Sequence, residues 1–164
     1  MIDADRIGHR VIQSPRVKSR LVRAWGKGIL RGPGVDRERL ALAAFRSRAG
    51  ARRLNRLVHP EILREIRRRI ARSRGWVVLD AALLYESGAN RLCDRVVFVD
   101  APRSLRRRRA GRRGLDPGEA ARRERFQWPV AYKLRRADYV IDNAGPKSRT
   151  RTQARKICED FLRR

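Results

Sequence analysis

Three short apolar runs, each ending in a carboxylate or amide side chain, constrain the fold of this chain most strongly. They span residues 76–80, 95–100 and 139–143. Their residues are mainly β-branched or aromatic and do not alternate with polar ones, which is typical of strands buried on both faces of a sheet. Helical patterns separate the runs. The alternation of strand and helix predicts an α/β fold with a parallel sheet.

The helical segments place apolar residues on one face. A helix is predicted over 36–48, with Asp36 as its candidate N-cap. A second helical stretch reaches Val58, where His59-Pro60 predicts an interruption, because proline favours the first turn of a new helix. The helix predicted after Pro60 has Ile62 on its apolar face. Further helices are predicted over 103–113, 117–127, 130–137 and 148–163.

Length and composition exclude several classes of protein. The chain has 164 residues, of which 41% are apolar, so it can bury a core and is not a disordered basic tail. No apolar run approaches the ~20 residues of a membrane span. Asp3 and Asp5 stand where a secretory signal would be apolar, and Cys93 and Cys158 lack the spacing of a disulfide framework. We therefore expect one cytoplasmic domain with reduced thiols.

The charge is strongly positive, with 43 Lys and Arg against 17 Asp and Glu and a formal net charge of +26. Almost all of the basic residues are arginine, and they are spread along the chain. A GC-rich genome would produce this excess, since most arginine codons are GC-rich. We expect mainly a solvated basic surface. The alternative is a noncatalytic arginine-rich chain that binds nucleic acid or another polyanion.

Asp3 and Asp5, followed by His9, form the first candidate site. Two carboxylates this close could hold a hydroxyl group, bind a metal ion or act as a base. The same pattern also fits an N-cap followed by a helix with a histidine in its second turn. Asp80 ends an apolar run, which is the usual position of a carboxylate that supports Mg²⁺ in phosphoryl-transfer folds. Many other α/β strands also end in Asp.

Two further features suit phosphate and nucleotide chemistry. The arginines of 106–113 are flanked by Gly111 and Gly114, and such forks bind phosphate oxygens while glycines allow a lid to move. A solvated helix face is the simpler interpretation of this cluster. Asn143 ends the third apolar run at a turn that could approach a nucleobase or simply join a strand to a helix.

Taken in order, these features resemble the dephospho-coenzyme A kinase family. Each motif alone is modest, but their shared order and spacing are specific. Ala82 stands where the family usually has proline. The matching segments are 2–5 with His9, 58–62, 79–88, 92–102, 108–115, and Lys133 with 137–143.

The resemblance implies a P-loop kinase-like three-layer fold with a parallel sheet. One domain over 1–164 would contain a helical acceptor-binding region at 14–74 and a lid at 103–127. The implied reaction is ATP-dependent phosphorylation of the ribose 3′-hydroxyl of dephospho-CoA, the final step of coenzyme A synthesis. Mg²⁺ would accompany ATP. ATP and dephospho-CoA would be the partners, with neither a membrane nor nucleic acid involved.

The resemblance also implies roles for residues on the acceptor side. Asp5 would orient or deprotonate the hydroxyl, with Asp3 beside it. Asp80 would support Mg²⁺ through water. The acceptor pocket would include His9, His59, Leu84, Tyr85 and Glu86.

On the donor side, the resemblance implies two lid arginines and a nucleotide loop. Arg108 and Arg112 would clamp the transferring phosphate, and Arg112 and Asn143 would bind ATP. The density of arginines leaves this alignment open by about one residue, since neighbouring positions on a helix offer the same group.

The family begins with a strand and a phosphate loop, G-x-x-x-x-G-K-[ST], which the sequence does not contain; the glycines of 26–34 have other spacings. That loop supplies a backbone cradle, a lysine and a Mg²⁺-binding hydroxyl, so we expect ATP binding and turnover to be very weak or absent. Its strand would be central, between 76–80 and 95–99. We therefore also expect exposed apolar strand edges and a chain that, by itself, is poorly folded or prone to aggregate.

Met1 stands where the family commonly has a branched apolar residue. A valine codon read as a start codon would produce this, so we expect a mis-assigned start with about 30 further residues upstream, the length of a strand, loop and helix. Degeneration of the gene is one alternative. Another is a noncatalytic chain that pairs with a protein supplying the strand.

Overall fold

The computed structural model describes residues 1–114, 116, 118, 121 and 124–163. The chain divides into two compact units, Met1–Leu92 and Cys93–Arg164. Both units combine short parallel strands with helices, which confirms the α/β prediction. Among the described residues, no helix has both the length and the apolar character that crossing a bilayer requires.

The first unit is mainly helical. Its strands β1 and β4 pair in parallel, whereas β2 and β3 form an antiparallel hairpin inside the region predicted to be helical. Short 3₁₀ turns lie at Lys27–Ile29 and Ala89–Leu92. In chain order the elements are β1 (Ile2–Asp3), α1 (Ala4–Gln13), α2 (Pro15–Trp25), β2 (Leu30–Arg31), β3 (Gly34–Val35), α3 (Arg37–Ala44), α4 (Arg48–Ala71) and β4 (Leu79–Asp80).

Two apolar clusters hold the first unit together. The smaller one packs α1 against α4, and Gly8 permits the close approach because a Cβ there would lie 3.3 Å from Ile62 Cδ1. Burying each Leu or Ile contributes roughly 1.5–3 kcal/mol. The smaller cluster contains Ile2, Ile7 and Ile66, and the larger contains Val17, Leu21, Ile29, Val35, Leu40 and Val58.

Two helix boundaries differ from those predicted. The interruption at His59-Pro60 is wrong, because α4 continues through Pro60. Val58 before the proline and Ile66 after it are both buried, and this packing offsets the backbone hydrogen bond that proline cannot donate. The N-cap Asp36 is confirmed, since its carboxylate accepts the Glu38 and Arg39 amides at 2.9 and 3.1 Å, but α3 ends at Ala44.

The second unit has one parallel strand pair, β5 with β6, in which Val97 lies opposite Tyr139. The predicted helix 117–127 falls partly outside the described residues. The aromatic rings of Tyr139 and Phe161 meet edge to face with centroids 5.2 Å apart. The elements are β5 (Val97–Asp100), α5 (Arg103–Gly111), α6 (Val130–Arg136), β6 (Tyr139–Asp142) and α7 (Lys147–Leu162).

Several apolar residues of the predicted strands are exposed. Val99 is 53% exposed and Trp76 is 70% exposed, so the prediction of strands buried on both faces is wrong for these runs. In the described part of the chain, β4 pairs with β1 and β5 pairs with β6. Each of these strands therefore has one hydrogen-bonded neighbour among the described residues, and part of its apolar surface faces solvent.

Candidate active site

The carboxyl ends of β1 and β4 bring two acidic residues together. The parallel register sets Ile2 opposite Leu79 and Asp3 opposite Asp80. Asp3 is also the N-cap of α1, because its Oδ1 accepts a hydrogen bond from the Arg6 amide at 2.8 Å. The cap and the site are thus compatible roles for one carboxylate. Asp80 is exposed and makes no ion pair with a described residue.

Asp5 lies in the first turn of α1, immediately beyond Asp3. The backbone N–H groups and dipoles at this end of a helix attract negatively charged groups. His9 follows four residues later and therefore shares a helix face with Asp5, where both side chains are exposed. The structure places Asp3, Asp5 and Asp80 at one sheet edge, with His9 one helical turn away.

The predicted acceptor residues of α4 and of the segment after β4 are also neighbours. Burial lowers the pKa of His59 below its ordinary value of 6.5, and the nearby charge of Glu86 opposes part of that shift. His59 is therefore neutral at pH 7, and it lies close enough to the Glu86 carboxylate to interact with it electrostatically. Next to Glu86 in the sequence, Tyr85 is buried and Leu84 is half-buried.

One side of α5 anchors the helix. Arg106 Nη1 donates to the Ala101 carbonyl at 2.9 Å, and both Arg103 and Arg106 contact the Glu124 carboxylate. Burial would raise the pKa of Glu124, but the hydrogen bonds from these arginines outweigh it and lower the pKa. These two guanidiniums hold α5 in place within the second unit.

The two predicted lid residues, Arg108 and Arg112, lie on the other side of this segment. They are four residues apart and share a face, which is opposite to the face of Arg103 and Arg106. Both side chains are exposed, and neither is ion-paired with a described residue. The structure thus separates the anchoring arginines from two whose guanidiniums remain available to a phosphate group.

Asn143, in the loop after β6, forms hydrogen bonds with neighbouring elements of the second unit. Its amide donates to the Asp100 carbonyl at 2.8 Å, and its Oδ1 accepts from Thr150 Oγ1 at 3.0 Å. The Gln153 side chain pairs with both backbone groups of Asp142, at 3.0 and 2.9 Å. These bonds tie the loop to β5 and α7.

One residue of the second unit, Arg109, was not singled out from the sequence. Arg109 Nη1 donates to the Asn143 carbonyl at 2.9 Å, and its three-residue spacing from Arg106 was the signal that could have revealed it. Lys133 is 6% exposed and donates to Gln127 Oε1 at 3.3 Å. A buried lysine is unusual, and Lys133 is one of the residues that carry the family resemblance in the sequence.

A groove of about 600 Å³ lies between α1 and α4, away from these residues. Ile7 and Arg10 line it, and their face of α1 is opposite to that of Asp5 and His9. The α4 side carries alternating arginines and glutamates that pair with one another, such as Arg69 with Glu65 at 2.8 Å. This groove does not coincide with the candidate site.

The donor set at the sheet edge fits Mg²⁺ in part. Asp3 and Asp80 offer carboxylate oxygens, the ligands that Mg²⁺ prefers. Within the described residues, no group of three or more acidic, histidine or cysteine side chains could form a complete protein cage. Mg²⁺ is commonly held by one or two carboxylates with water and substrate phosphates completing the shell, so two are sufficient.

Comparison with known proteins gives one consistent family. A family model described as dephospho-CoA kinase matches residues 1–148. The dephospho-CoA kinase of Aquifex aeolicus is 33% identical over 99% of this chain and 85% of its own, and that of Corynebacterium diphtheriae is 40% identical over 98% and 84%. A Thermus thermophilus crystal structure, 29% identical, has a TM-score of 0.82 over 98% of this chain and 83% of its own. This chain belongs to the dephospho-CoA kinase family.

Proposed function

We propose that this chain performs the dephospho-CoA kinase reaction, in which the γ-phosphate of ATP is transferred to the ribose 3′-hydroxyl of dephospho-CoA. The observation that carries the assignment is the β1–β4 register, which places Asp3 beside Asp80 at the edge where α1 begins with Asp5. The comparisons support the kinase and give no support to the alternative of an arginine-rich polyanion-binding chain.

Asp5 is the group that would orient and deprotonate the acceptor hydroxyl. As the hydroxyl oxygen bonds to the γ-phosphorus, its proton passes to the Asp5 carboxylate and the bond to the ADP oxygen breaks. Asp3, held by its bond to the Arg6 amide, would fix the other side of the hydroxyl. Most of the rate enhancement would come from positioning and charge neutralisation.

Asp80 is the residue that would support Mg²⁺, through a bound water, with Asp3 next to it at the same edge. When bound with ATP, Mg²⁺ supplies charge neutralisation of the phosphate oxygens. Asp80 is exposed, so it can accept hydrogen bonds from water.

Arg108 and Arg112 would clamp the transferring phosphate, because their exposed guanidiniums can each offer two parallel N–H donors. Asn143 would lie at the ATP base, on the loop fixed by β5 and α7. Its Oδ1 accepts from Thr150, so its amide N–H₂ is the group left to donate to a ring nitrogen or carbonyl.

The acceptor itself would bind on the first unit. His59 is neutral because of its burial, so it can donate and accept hydrogen bonds without adding charge. Glu86, Tyr85 and Leu84 would form the adjoining wall, and His9 would extend the pocket from Asp5 along α1.

The test is transfer of label from γ-labelled ATP to dephospho-CoA, with coenzyme A separated by chromatography. Single-turnover detection is appropriate, because turnover is expected to be slow in a sequence without G-x-x-x-x-G-K-[ST]. Asp5→Asn should lower the transfer rate by about 10²–10⁴-fold. Glu38→Gln is the matched control, since Glu38 is also an exposed carboxylate in the first turn of a helix. Equal rates for Asp5→Asn and the parent chain would exclude the assignment.

A further inference from the structure

The loop residue Asn143 is held by three different elements of the second unit. Its N–H donates to Asp100 at the end of β5, and its side-chain oxygen accepts from Thr150 on α7. Its carbonyl accepts from Arg109 Nη1 on α5, at 2.9 Å. The first two bonds join Asn143 to β5 and α7. The third joins it to α5, the helix that carries the proposed lid arginine Arg108.

Arg109 differs from the other anchoring arginines of α5 in what it binds. Arg103 and Arg106 share the carboxylate of Glu124, while Arg109 donates to a neutral carbonyl and is ion-paired with no described residue. Arg109 is half-buried, so its bond is partly shielded from water. A hydrogen bond from a charged donor contributes more than a neutral one, and it is directional. The contact therefore fixes the orientation of the Asn143 peptide group.

We propose that Arg109 is a positioning residue that holds the nucleotide loop through the Asn143 carbonyl and couples this loop to α5. This inference rests on the proposed function, in which the Asn143 loop receives the ATP base. Arg108 is the next residue on the same helix, so a guanidinium aimed at phosphate and one bound to the base loop share one rigid element. The position of α5 then determines both the orientation of the loop that meets the base and the position of the arginine that contacts the phosphate.

The coupling predicts a loss that depends on the nucleobase. Without Arg109, the Asn143 carbonyl loses its donor and the loop keeps its bonds to β5 and α7 alone. The loop can then rotate away from the orientation that meets the base. A ligand that carries phosphates without a base would not sense this change, because it makes no contact with the loop.

The experiment compares the affinity of the chain for Mg²⁺-free ATP and for inorganic tripolyphosphate by isothermal titration calorimetry. The parent chain should bind ATP more tightly. Arg109→Met should lower the affinity for ATP by about tenfold, the effect of losing one hydrogen bond from a charged group. Its effect on tripolyphosphate should equal that of Arg107→Met, which removes the same charge from the same helix at an exposed position. Arg109→Lys, which keeps one donor, should recover part of the loss.

The outcomes separate this inference from the proposed function. If the parent chain binds ATP no better than tripolyphosphate, the base-loop assignment fails and this inference fails with it. If the parent prefers ATP and Arg109→Met keeps that preference, the inference alone is overturned. An equal loss for both ligands would also overturn it, since the guanidinium would then act only by its charge. Should Arg109→Met unfold, Thr150→Val releases the same loop from α7 and must show the same ATP-selective loss.

Discussion

The two units of the chain are stabilised in different ways. The first unit buries large aliphatic side chains completely, such as Leu21, Ile7 and Ile66, each with no exposed surface. Among the described residues of the second unit, the buried apolar side chains are Ala101, Ile141 and Ile157, and these are accompanied by Lys133. Much of the order there comes from arginine and glutamine side chains bonded to backbone groups.

This difference matches the work proposed for each unit. The carboxylates proposed to act on the acceptor lie on elements whose positions are fixed by dense apolar packing. Such packing keeps them in place, and the transfer step requires this because a small displacement of the reacting hydroxyl lowers the rate. The arginines proposed for the lid and the loop proposed for the ATP base lie on elements held by individual hydrogen bonds, each worth about 1 kcal/mol net. Elements that must move during a reaction are drawn from the less stable parts of a fold.

The largest expected effect is from truncating the core of the first unit. Leu21→Ala should lower the free energy of unfolding by about 3–4 kcal/mol, because Leu21 has no exposed surface and its neighbours on α3 and α4 cannot close the cavity. Ile157→Ala in the second unit, where Ile157 is 9% exposed, should cost about 2 kcal/mol. Urea denaturation followed by circular dichroism measures both. Equal losses would remove the contrast between the two units.

One glycine in each unit tests how closely the surrounding atoms pack against the backbone. A Cβ on Gly50 would clash with the Ala44 carbonyl oxygen, so Gly50→Ala should cost about 2–3 kcal/mol as the α3–α4 turn is forced apart. A Cβ on Gly145 would meet Arg149 Cδ at 3.3 Å, the flexible part of a side chain. Gly145→Ala should therefore stay within about 1 kcal/mol of the parent chain. A larger thermal shift for Gly145→Ala than for Gly50→Ala would contradict this account.

The sequence was sufficient for features that depend on local chemistry. Apolar runs ending in Asp located the strands of β4, β5 and β6, and the alternation with helices gave the α/β class. Asp36 was identified as an N-cap because a short carboxylate before a helix has one dominant use. Asp3 had two open interpretations, and the β1–β4 register shows how one residue can serve both.

The sequence was insufficient where tertiary contacts decide. The continuation of α4 through Pro60 depends on packing against α1, which no local pattern reports. The arginines of α5 are chemically identical in sequence, and only the positions of Glu124 and Asn143 assign Arg106 and Arg109 to anchoring. The β2–β3 hairpin was also missed, because two-residue strands give no periodicity.

The smallest expected effect is the dependence of unfolding free energy on pH. The two units should lose stability in different pH ranges. His59 in the first unit is half-buried, and this desolvation lowers its pKa below 6.5. The unfolded chain therefore takes up a proton at this position more readily than the folded chain as the pH falls below 6.5. The stability associated with neutral His59 is present above pH 6.5 and declines below it. In the second unit, the pKa of Glu124 is lowered from 4.5, so its contribution declines only below pH 4.5.

The pH effect is measured as the slope of unfolding free energy between pH 7 and pH 5. His59→Asn removes the titrating group and should flatten this slope, by less than about 1.4 kcal/mol per pH unit, the limit for one proton. Glu124→Gln should leave the slope in this range unchanged and alter it only in more acidic solution. His9→Asn is the control for removing a histidine, because His9 is exposed. A slope unchanged in His59→Asn would mean that burial of His59 does not set the acid sensitivity of the first unit.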